Sequence, residues 1–356
     1  VTLAVNAARP MLSAEDPAAI GLLIVGSETG MDQEKPLSSW IHNHLDLSPH
    51  CRHFEIKFAC YGATAALQMA LAWLRSPEGA GRKALLINTD HSLVGFGTAY
   101  EPMEGAGAVA VLLSDAPRVV CYELDRSGIY TQDITDVIRP SPKVEILNEE
   151  SLYSYLEALE GAYGHYVERA GGAVDFNRHF ARNIFHVPFG GMAYRAHRRL
   201  VEVAGACARD QVDAHFAARV LASLTYTRRI GSTYGASPFI ALLGLIDNDP
   251  ALRAADRIGV FGFGSGYCGE FYAARLLPLA RAAVAEAAVR TLLEERRPLT
   301  IEEYERIEQA RLDATGEPDY LPDRSALGDW YERRYAGHGE LVLERVEGYH
   351  RHYGWS

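Results

Sequence analysis

The stretch Ala59-Cys60-Tyr61-Gly62-Ala63-Thr64-Ala65-Ala66-Leu67-Gln68-Met69-Ala70-Leu71-Ala72-Trp73-Leu74 decides the fold. From Tyr61 to Leu74 it reads as a helix whose apolar residues fall on nearly every side, where a surface helix would show one stripe. A helix of that kind must be enclosed by protein, with sheets or helices on both sides of it. Working outward, short apolar runs flank it: Leu22 to Val25 before, Ala84 to Ile87 and Ala108 to Leu113 after, ended by Gly26, Asn88 and Ser114. Such runs are the pattern of strands buried on both faces. Strands around an enclosed helix predict a layered α/β architecture with more layers than a simple three-layer sandwich.

After Pro117 the pattern restarts with a strand over Val119 to Leu124 and a helix over Leu152 to Val167, with Ser151 as its N-cap. Further helices are expected over 191–207, 212–224 and 238–245. Gly259 to Phe263 is another buried strand, ending in Gly262-Phe263-Gly264-Ser265-Gly266, after which a helix is expected through Tyr272 to Leu293. Two sheet-forming halves result, residues 1–117 and 118–356, with no low-complexity linker between them. The chain opens in a helix that should end before Pro10. The charged runs Glu294 to Arg297 and Glu302 to Glu308 read as solvated helix faces.

Composition narrows the function classes. With 48% apolar and 23% charged residues among 356, the chain is neither disordered nor an integral membrane protein. Its formal charge of -11, from 46 acidic and 35 basic residues, argues against a nucleic-acid partner. Five scattered cysteines without CxxC spacing suggest neither a disulfide framework nor a metal site, and fit a reducing cytoplasm. No GxGxxG follows a strand and opens a helix, which disfavours hydride transfer.

Three residues stand where chemistry is expected. Cys60 lies between a strand over Phe54 to Phe58 and the enclosed helix, so the helix N-terminus should favour its thiolate. On position alone an inert core thiol fits as well. Glu28, in Val25-Gly26-Ser27-Glu28-Thr29-Gly30, directly follows a buried strand, where α/β sheets collect ligand-binding residues. It reads as a base with a raised pKa or as a turn-stabilising carboxylate. His186 sits between Ile184-Phe185 and Val187-Pro188-Phe189-Gly190-Gly191, which holds it at a strand or loop end; a core histidine is the alternative.

These stretches, in this order, resemble those of the 3-hydroxy-3-methylglutaryl (HMG-CoA) synthase family of the thiolase superfamily. The resemblance continues through Gly105-Ala106-Gly107-Ala108-Val109-Ala110, Arg257 to Gly266, and Tyr349-His350-Arg351-His352-Tyr353-Gly354-Trp355. It implies a thiolase fold, layered α-β-α-β-α with two pseudo-duplicated halves, and a first strand preceding Val1. Within the family the likeness leans to the branch that installs β-branches on polyketides, through Ala8-Arg9-Pro10, His186 to Met192 and Tyr267-Cys268-Gly269-Glu270-Phe271-Tyr272. Coenzyme A enzymes tend to carry a lysine shortly after the proline that follows the histidine; here glycine fills that region.

The resemblance implies that Cys60 takes an acetyl group from a donor acyl carrier protein and that Glu28 removes a proton from its methyl group. Backbone N–H groups at Cys60 and near Ser265 would hold the enolate oxygen. The enolate adds to the β-keto group of a chain on an acceptor carrier protein, with His186 serving that carbonyl, and water then hydrolyses the thioester. Ser232, in Ile230-Gly231-Ser232-Thr233-Tyr234-Gly235-Ala236-Ser237, stands where the family usually has asparagine, so one donor replaces two. Ser232, Tyr234, Ser265 and Asp90 are the expected substrate-binding residues, although a turn or capping role suits Asp90 equally. Arg195, Arg198 and Arg199 are the expected carrier docking site, or alternatively a solvated helix face. No bound cofactor or metal is expected, only the phosphopantetheine of a carrier protein, or coenzyme A, as acyl carrier. A homodimer is implied by the superfamily. Two other readings stay open: a primary-metabolism synthase using acetyl-CoA and acetoacetyl-CoA, and a non-catalytic thiolase-fold partner that binds acyl chains.

Overall fold

In the computed structural model, which describes residues 1–13, 15–91, 96–141, 144–148 and 150–356, the apolar runs form two separate sheets. Strands β1 (Ile20–Gly26), β2 (Arg52–Ile56), β3 (Lys83–His91) and β4 (Ala106–Leu113) make the first, in the order β2-β1-β3-β4. The first three run parallel and β4 is antiparallel to β3. Strand β5 (Val120–Tyr122) and the short β6 (Gly128–Thr131) begin the second sheet, and a small hairpin, β7 (Val137–Ser141) with β8 (Val144–Leu147), stands apart from both. Strands β9 (Arg182–Phe185), β10 (Arg257–Gly264) and β11 (Cys268–Leu276) complete the second sheet in the order β5-β11-β10-β9, with β6 also on β11. A terminal hairpin joins β12 (Leu341–Glu347) to β13 (His350–Trp355).

Helices α1 (Thr2–Leu12), α2 (Leu37–His44) and α3 (Gly62–Leu74) belong to the first stretch of chain. The rest adds α4 (Glu150–Arg169), the single turn α5 (Phe176–His179), α6 (Met192–Val203), α7 (Val212–Arg219), α8 (Leu224–Ile230) and α9 (Ser237–Asn248). Four more helices follow β11: α10 (Ala280–Glu286), α11 (Val289–Glu294), α12 (Ile301–Ala314) and α13 (Trp330–Arg334).

Strand alternation sends successive side chains to opposite faces, and three cores follow from it. Leu22, Ile24 and Leu86 on one face of the first sheet share a core with Ile184, Ile258 and Val260 of the second, and Ala63, Ala66, Leu67 and Ala70 of α3 and Ile240, Ala241 and Leu245 of α9 lie within it. Leu23, Val25, Leu85 and Ile87, on the opposite face, pack on Ala4, Val5 and Ala8 of α1 and Leu37 and Ile41 of α2. Phe185, Phe261 and Phe271, on the far face of the second sheet, pack on Leu159, Tyr163 and Tyr166 of α4 and Met192, Ala196 and Leu200 of α6. The result is the α-β-α-β-α stack of a thiolase fold. Gly262 lets the central helix seat closely: a Cβ there would lie 2.3 Å from Thr64 Oγ1 of α3.

Four local expectations are corrected. The glycine-rich turn after β10 does not open a helix; the chain reverses into β11, paired antiparallel from Gly264↔Cys268 to Arg257↔Arg275. Ala273-Ala274-Arg275-Leu276 is a good helix former by propensity, but burial on both faces holds it as strand, and the helix waits until after Pro278. Pro10 lies inside α1, two residues before its end, where it forgoes the bond to the Asn6 carbonyl without ending the helix there. Ser151 falls inside α4, which begins one residue earlier, so it is not the cap. Met69 is 51% exposed, so one side of α3 is open.

Candidate active site

Cys60 lies between β2 and α3. Ala59 before it adopts φ +37°, in the left-handed region, which costs roughly 1–2 kcal/mol for a residue with a Cβ. Tyr61 is the N-cap and Gly62 the first residue of α3. This turn brings the thiol to Glu28: Cys60 Sγ donates to Glu28 Oε2 at 3.3 Å.

Glu28 follows β1 directly, and its loop is wrapped on one oxygen of Asp90. Asp90 Oδ1 accepts from Ser27 Oγ (3.0 Å), the Glu28 N–H (2.9 Å), Thr29 Oγ1 (2.9 Å) and the Thr29 N–H (3.2 Å). Asp90 is 2% exposed. It thus supports Glu28 from behind. On the next strand position inward, Asn88 Nδ2 donates to Gly26 O at 2.7 Å.

His186 is the first residue beyond β9 and is fully buried. Its N–H donates to Phe261 O (2.8 Å), its carbonyl accepts from Tyr155 Oη (2.7 Å), and its Nδ1 lies 2.8 Å from Ser237 Oγ. Ser237 Oγ accepts the Val187 N–H at 3.0 Å, which leaves its own proton for the ring. With the Ser237 hydroxyl turned to the ring, Nδ1 accepts and Nε2 carries the hydrogen; a second lone pair on Oγ also suits the opposite tautomer.

One short segment joins these groups. A Cβ on Gly235 would lie 2.8 Å from Cys60 O and 3.0 Å from Asn88 Nδ2, while Ser237, two residues on, holds His186. Just before Gly235, Tyr234 takes φ +51° and donates its hydroxyl to Glu104 Oε2 at 3.0 Å. The turn bearing Ser265 reaches the same place, since a Cβ on Gly264 would lie 2.3 Å from the Tyr61 N. Ser232 donates its N–H to Met103 O at 2.9 Å and lines a cavity of about 210 Å³ with Met103, Val187, Phe189 and Gly190, next to His186.

Burial dominates the electrostatics. It pushes Glu28 up to about 8, with Asp90 adding to the shift and Arg139 opposing it. Burial raises Asp90 as well, against the hydrogen bonds it accepts. The Cys60 thiol is raised well above its ordinary value by burial and by the Glu28 carboxylate. This runs against the expected thiolate: burial first, and the Glu28 carboxylate after it, outweigh the helix N-terminus and favour the thiol. Burial lowers His186 to about 3, so its ring is neutral and acts as an N–H donor.

Arg195, Arg198 and Arg199 all lie on α6, along a wide cleft shared with Glu157 and Glu160 of α4. Arg199 is ion-paired to Glu160 and, at 3.2 Å, to Glu202. Arg195 and Arg198 stay exposed, the former 5.9 Å from the Phe189 ring. Sequence reasoning missed Ser237, Tyr155, Asn88 and Arg139. The Ser237-Pro238 helix start was a usable signal for the first. Arg139 carries none, because it reaches Glu28 from a hairpin 111 residues away. Among the described residues no group of three or more His, Cys, Asp and Glu could hold a metal ion, and no helix is long and apolar enough to cross a membrane.

Comparison with known proteins adds to this geometry. Residues 7–117 match the family described as hydroxymethylglutaryl-coenzyme A synthase N terminal, and 205–352 the corresponding C terminal. The polyketide biosynthesis 3-hydroxy-3-methylglutaryl-ACP synthase PksG of Bacillus subtilis is 37% identical over 86% of this chain and 76% of its own. The hydroxymethylglutaryl-CoA synthase of Enterococcus faecalis is 34% identical over 88% of this chain and 80% of its own. The crystal structure of the curacin biosynthetic pathway HMG synthase in complex with holo donor-ACP superposes with a TM-score of 0.93 at 37% identity, covering 100% of this chain and 88% of that one.

Proposed function

Because the chain belongs to the hydroxymethylglutaryl-coenzyme A synthase family, we propose that it condenses an acetyl group with a β-ketoacyl chain, both delivered on acyl carrier proteins, to install a β-branch on a polyketide. Cys60 is the nucleophile, Glu28 the base and His186 the hydrogen-bond donor to the acceptor carbonyl. The observation that carries this reading is the Cys60 Sγ to Glu28 Oε2 contact of 3.3 Å, with a buried, neutral His186 held by Ser237, two residues from the Gly235 that packs on Cys60.

The Cys60 sulfur attacks the acetyl thioester; the new S–acetyl bond forms as the carrier thiol leaves with the Cys60 proton. Glu28 then takes a methyl proton, and the enolate oxygen is held by backbone N–H groups at Cys60 and the Ser265 turn. The enolate carbon bonds to the β-carbonyl carbon of the acceptor chain. That oxygen becomes an alkoxide against the His186 Nε2–H and receives the proton Glu28 removed. Water hydrolyses the Cys60 thioester, leaving a carboxymethyl branch and a free thiol. Ser232 and Tyr234 border the acceptor, Asp90 holds Glu28 in place, and the exposed Arg195 and Arg198 of α6 meet the acidic carrier protein. Arg199 adds less there, being neutralised by Glu160 and Glu202.

The carrier-protein preference draws on PksG and on the donor-ACP complexes of the curacin synthase. We further infer a cytoplasmic homodimer in which each chain comprises two thiolase-like halves, 1–117 and 118–356; β2, at the edge of the first sheet, leaves a row of backbone groups for a second copy. Reconstitution with an acetylated donor carrier and a β-ketoacyl acceptor carrier tests the function. The expected product is the acceptor chain bearing a carboxymethyl branch and a tertiary hydroxyl, lost in Cys60→Ser; an acceptor chain left unchanged contradicts the reading.

A further inference from the structure

The β7–β8 hairpin belongs to neither main sheet, yet it delivers a guanidinium to the site. Arg139 Nη2 lies 3.4 Å from Glu28 Oε1, and its Nη1 donates to the backbone carbonyl of the same residue at 3.3 Å. Its Nε donates to Glu145 Oε2 of β8 at 2.9 Å, and Nη2 also contacts that oxygen. On a further side the cation stands 5.9 Å from the Tyr234 ring, within cation–π range. The side chains of Glu28, Arg139 and Glu145 are 14%, 15% and 22% exposed, so solvent screens them weakly.

The hairpin does not need Glu28 as a fastening. Its base is tied by Asp136, which accepts from the Gly266 N–H at 2.9 Å and from Ser154 Oγ at 3.1 Å, and by the Asn148 N–H to Asp136 O at 2.8 Å. Contacts to both the carboxylate and the carbonyl of one residue fix that residue's side chain relative to its backbone. We propose that Arg139 is a positioning residue for Glu28, setting its orientation and its readiness to take a proton, and that Glu145 competes for the same guanidinium and so limits the effect. This rests on Glu28 being the base of the condensation.

The charged and titratable groups facing Glu28 are Cys60 ahead of α3, Asp90 of β3, Arg139 of β7 and Glu145 of β8. The first two neighbours persist whatever is done to the hairpin. Removing the Arg139 cation therefore makes Glu28 harder to ionise, and removing the Glu145 charge makes it easier. The sign difference separates a positioning role from a merely structural one, which would lower rates in both variants at every pH.

The experiment starts from enzyme already acetylated at Cys60 and follows one turnover with acceptor carrier protein across neutral to alkaline pH. Arg139→Met should move the rising limb upward by about 1–3 pH units, a tenfold slower condensation per unit on that limb. Arg139→Lys should fall between Met and the parent, since an ammonium keeps the charge but cannot bridge two carboxylates and a carbonyl. Glu145→Gln should move the limb downward and keeps the test alive if the Met variant fails to fold. A limb unmoved by both Arg139→Met and Glu145→Gln overturns the inference. Glu28→Gln condensing at the parental rate would instead overturn the base assignment; its inactivity with unmoved limbs would remove the Arg139 role alone.

Discussion

Two carboxylates and a thiol share a water-poor space, and their mutual influence sets how readily Glu28 ionises. As the proposed base, Glu28 must be ionised to accept a methyl proton, and burial lifts it to about 8. Condensation is therefore expected to rise with pH, about tenfold per unit below the midpoint, and to level off near or above 8. Acetylation removes the Cys60 S–H that stabilises the carboxylate, so the midpoint for acetyl-enzyme should not lie lower. Stopped-flow or quenched-flow rates across pH check this; a flat profile through neutrality would exclude Glu28 as the base. Ser237→Ala removes the hydroxyl that holds His186 Nδ1, and should slow condensation by about 10- to 100-fold, the worth of one buried hydrogen bond. Acetylation of Cys60, measured by intact mass, should change much less. Glu28, Cys60 and His186 were candidates because each lies at the end of a strand or the start of a helix, and the family resemblance decided between catalytic and inert roles. Ser237 and Arg139 did not, because their roles depend on contacts across 51 and 111 residues of chain.

At the scale of elements, the nucleophile segment and the β10–β11 turn are fitted backbone to backbone. A Cβ on Gly264 would stand 2.3 Å from the Tyr61 N and 3.0 Å from the Phe58 O. Gly264→Ala must push the turn off the Cys60 segment, and should destabilise the protein by about 1–3 kcal/mol and slow acetylation, as read by urea unfolding and mass labelling. The parental midpoint and labelling rate in that variant would show that the two segments are not coupled. The central helix and the most buried strands were legible because burial leaves a nearly unbroken apolar pattern, although the side of the helix bearing Met69 stays open. The β11 strand was not, because Ala and Leu suit helix and buried strand alike and only the antiparallel partner decides between them. The β7–β8 hairpin was also unread: its residues are exposed or half-buried and carry no clean alternation.

For the molecule as a whole, the charge of -11 matters most where an acidic partner must approach. Of the three arginines proposed to dock it, Arg195 and Arg198 stay exposed while Arg199 is paired with two glutamates. Charge reversal at both should lower the acetylation rate from donor carrier protein about tenfold or more at low ionic strength, with the difference shrinking as salt is added. An unchanged rate would move the docking surface elsewhere. The central claim is that an acyl carrier protein is the acetyl donor to Cys60. Intact-mass kinetics of the enzyme with acetyl-donor carrier protein and with acetyl-CoA, at matched concentrations and mapped to the Cys60 peptide, test it most directly. Faster acetylation of Cys60 by the carrier protein is predicted; labelling by acetyl-CoA alone, or at a site other than Cys60, would contradict the account.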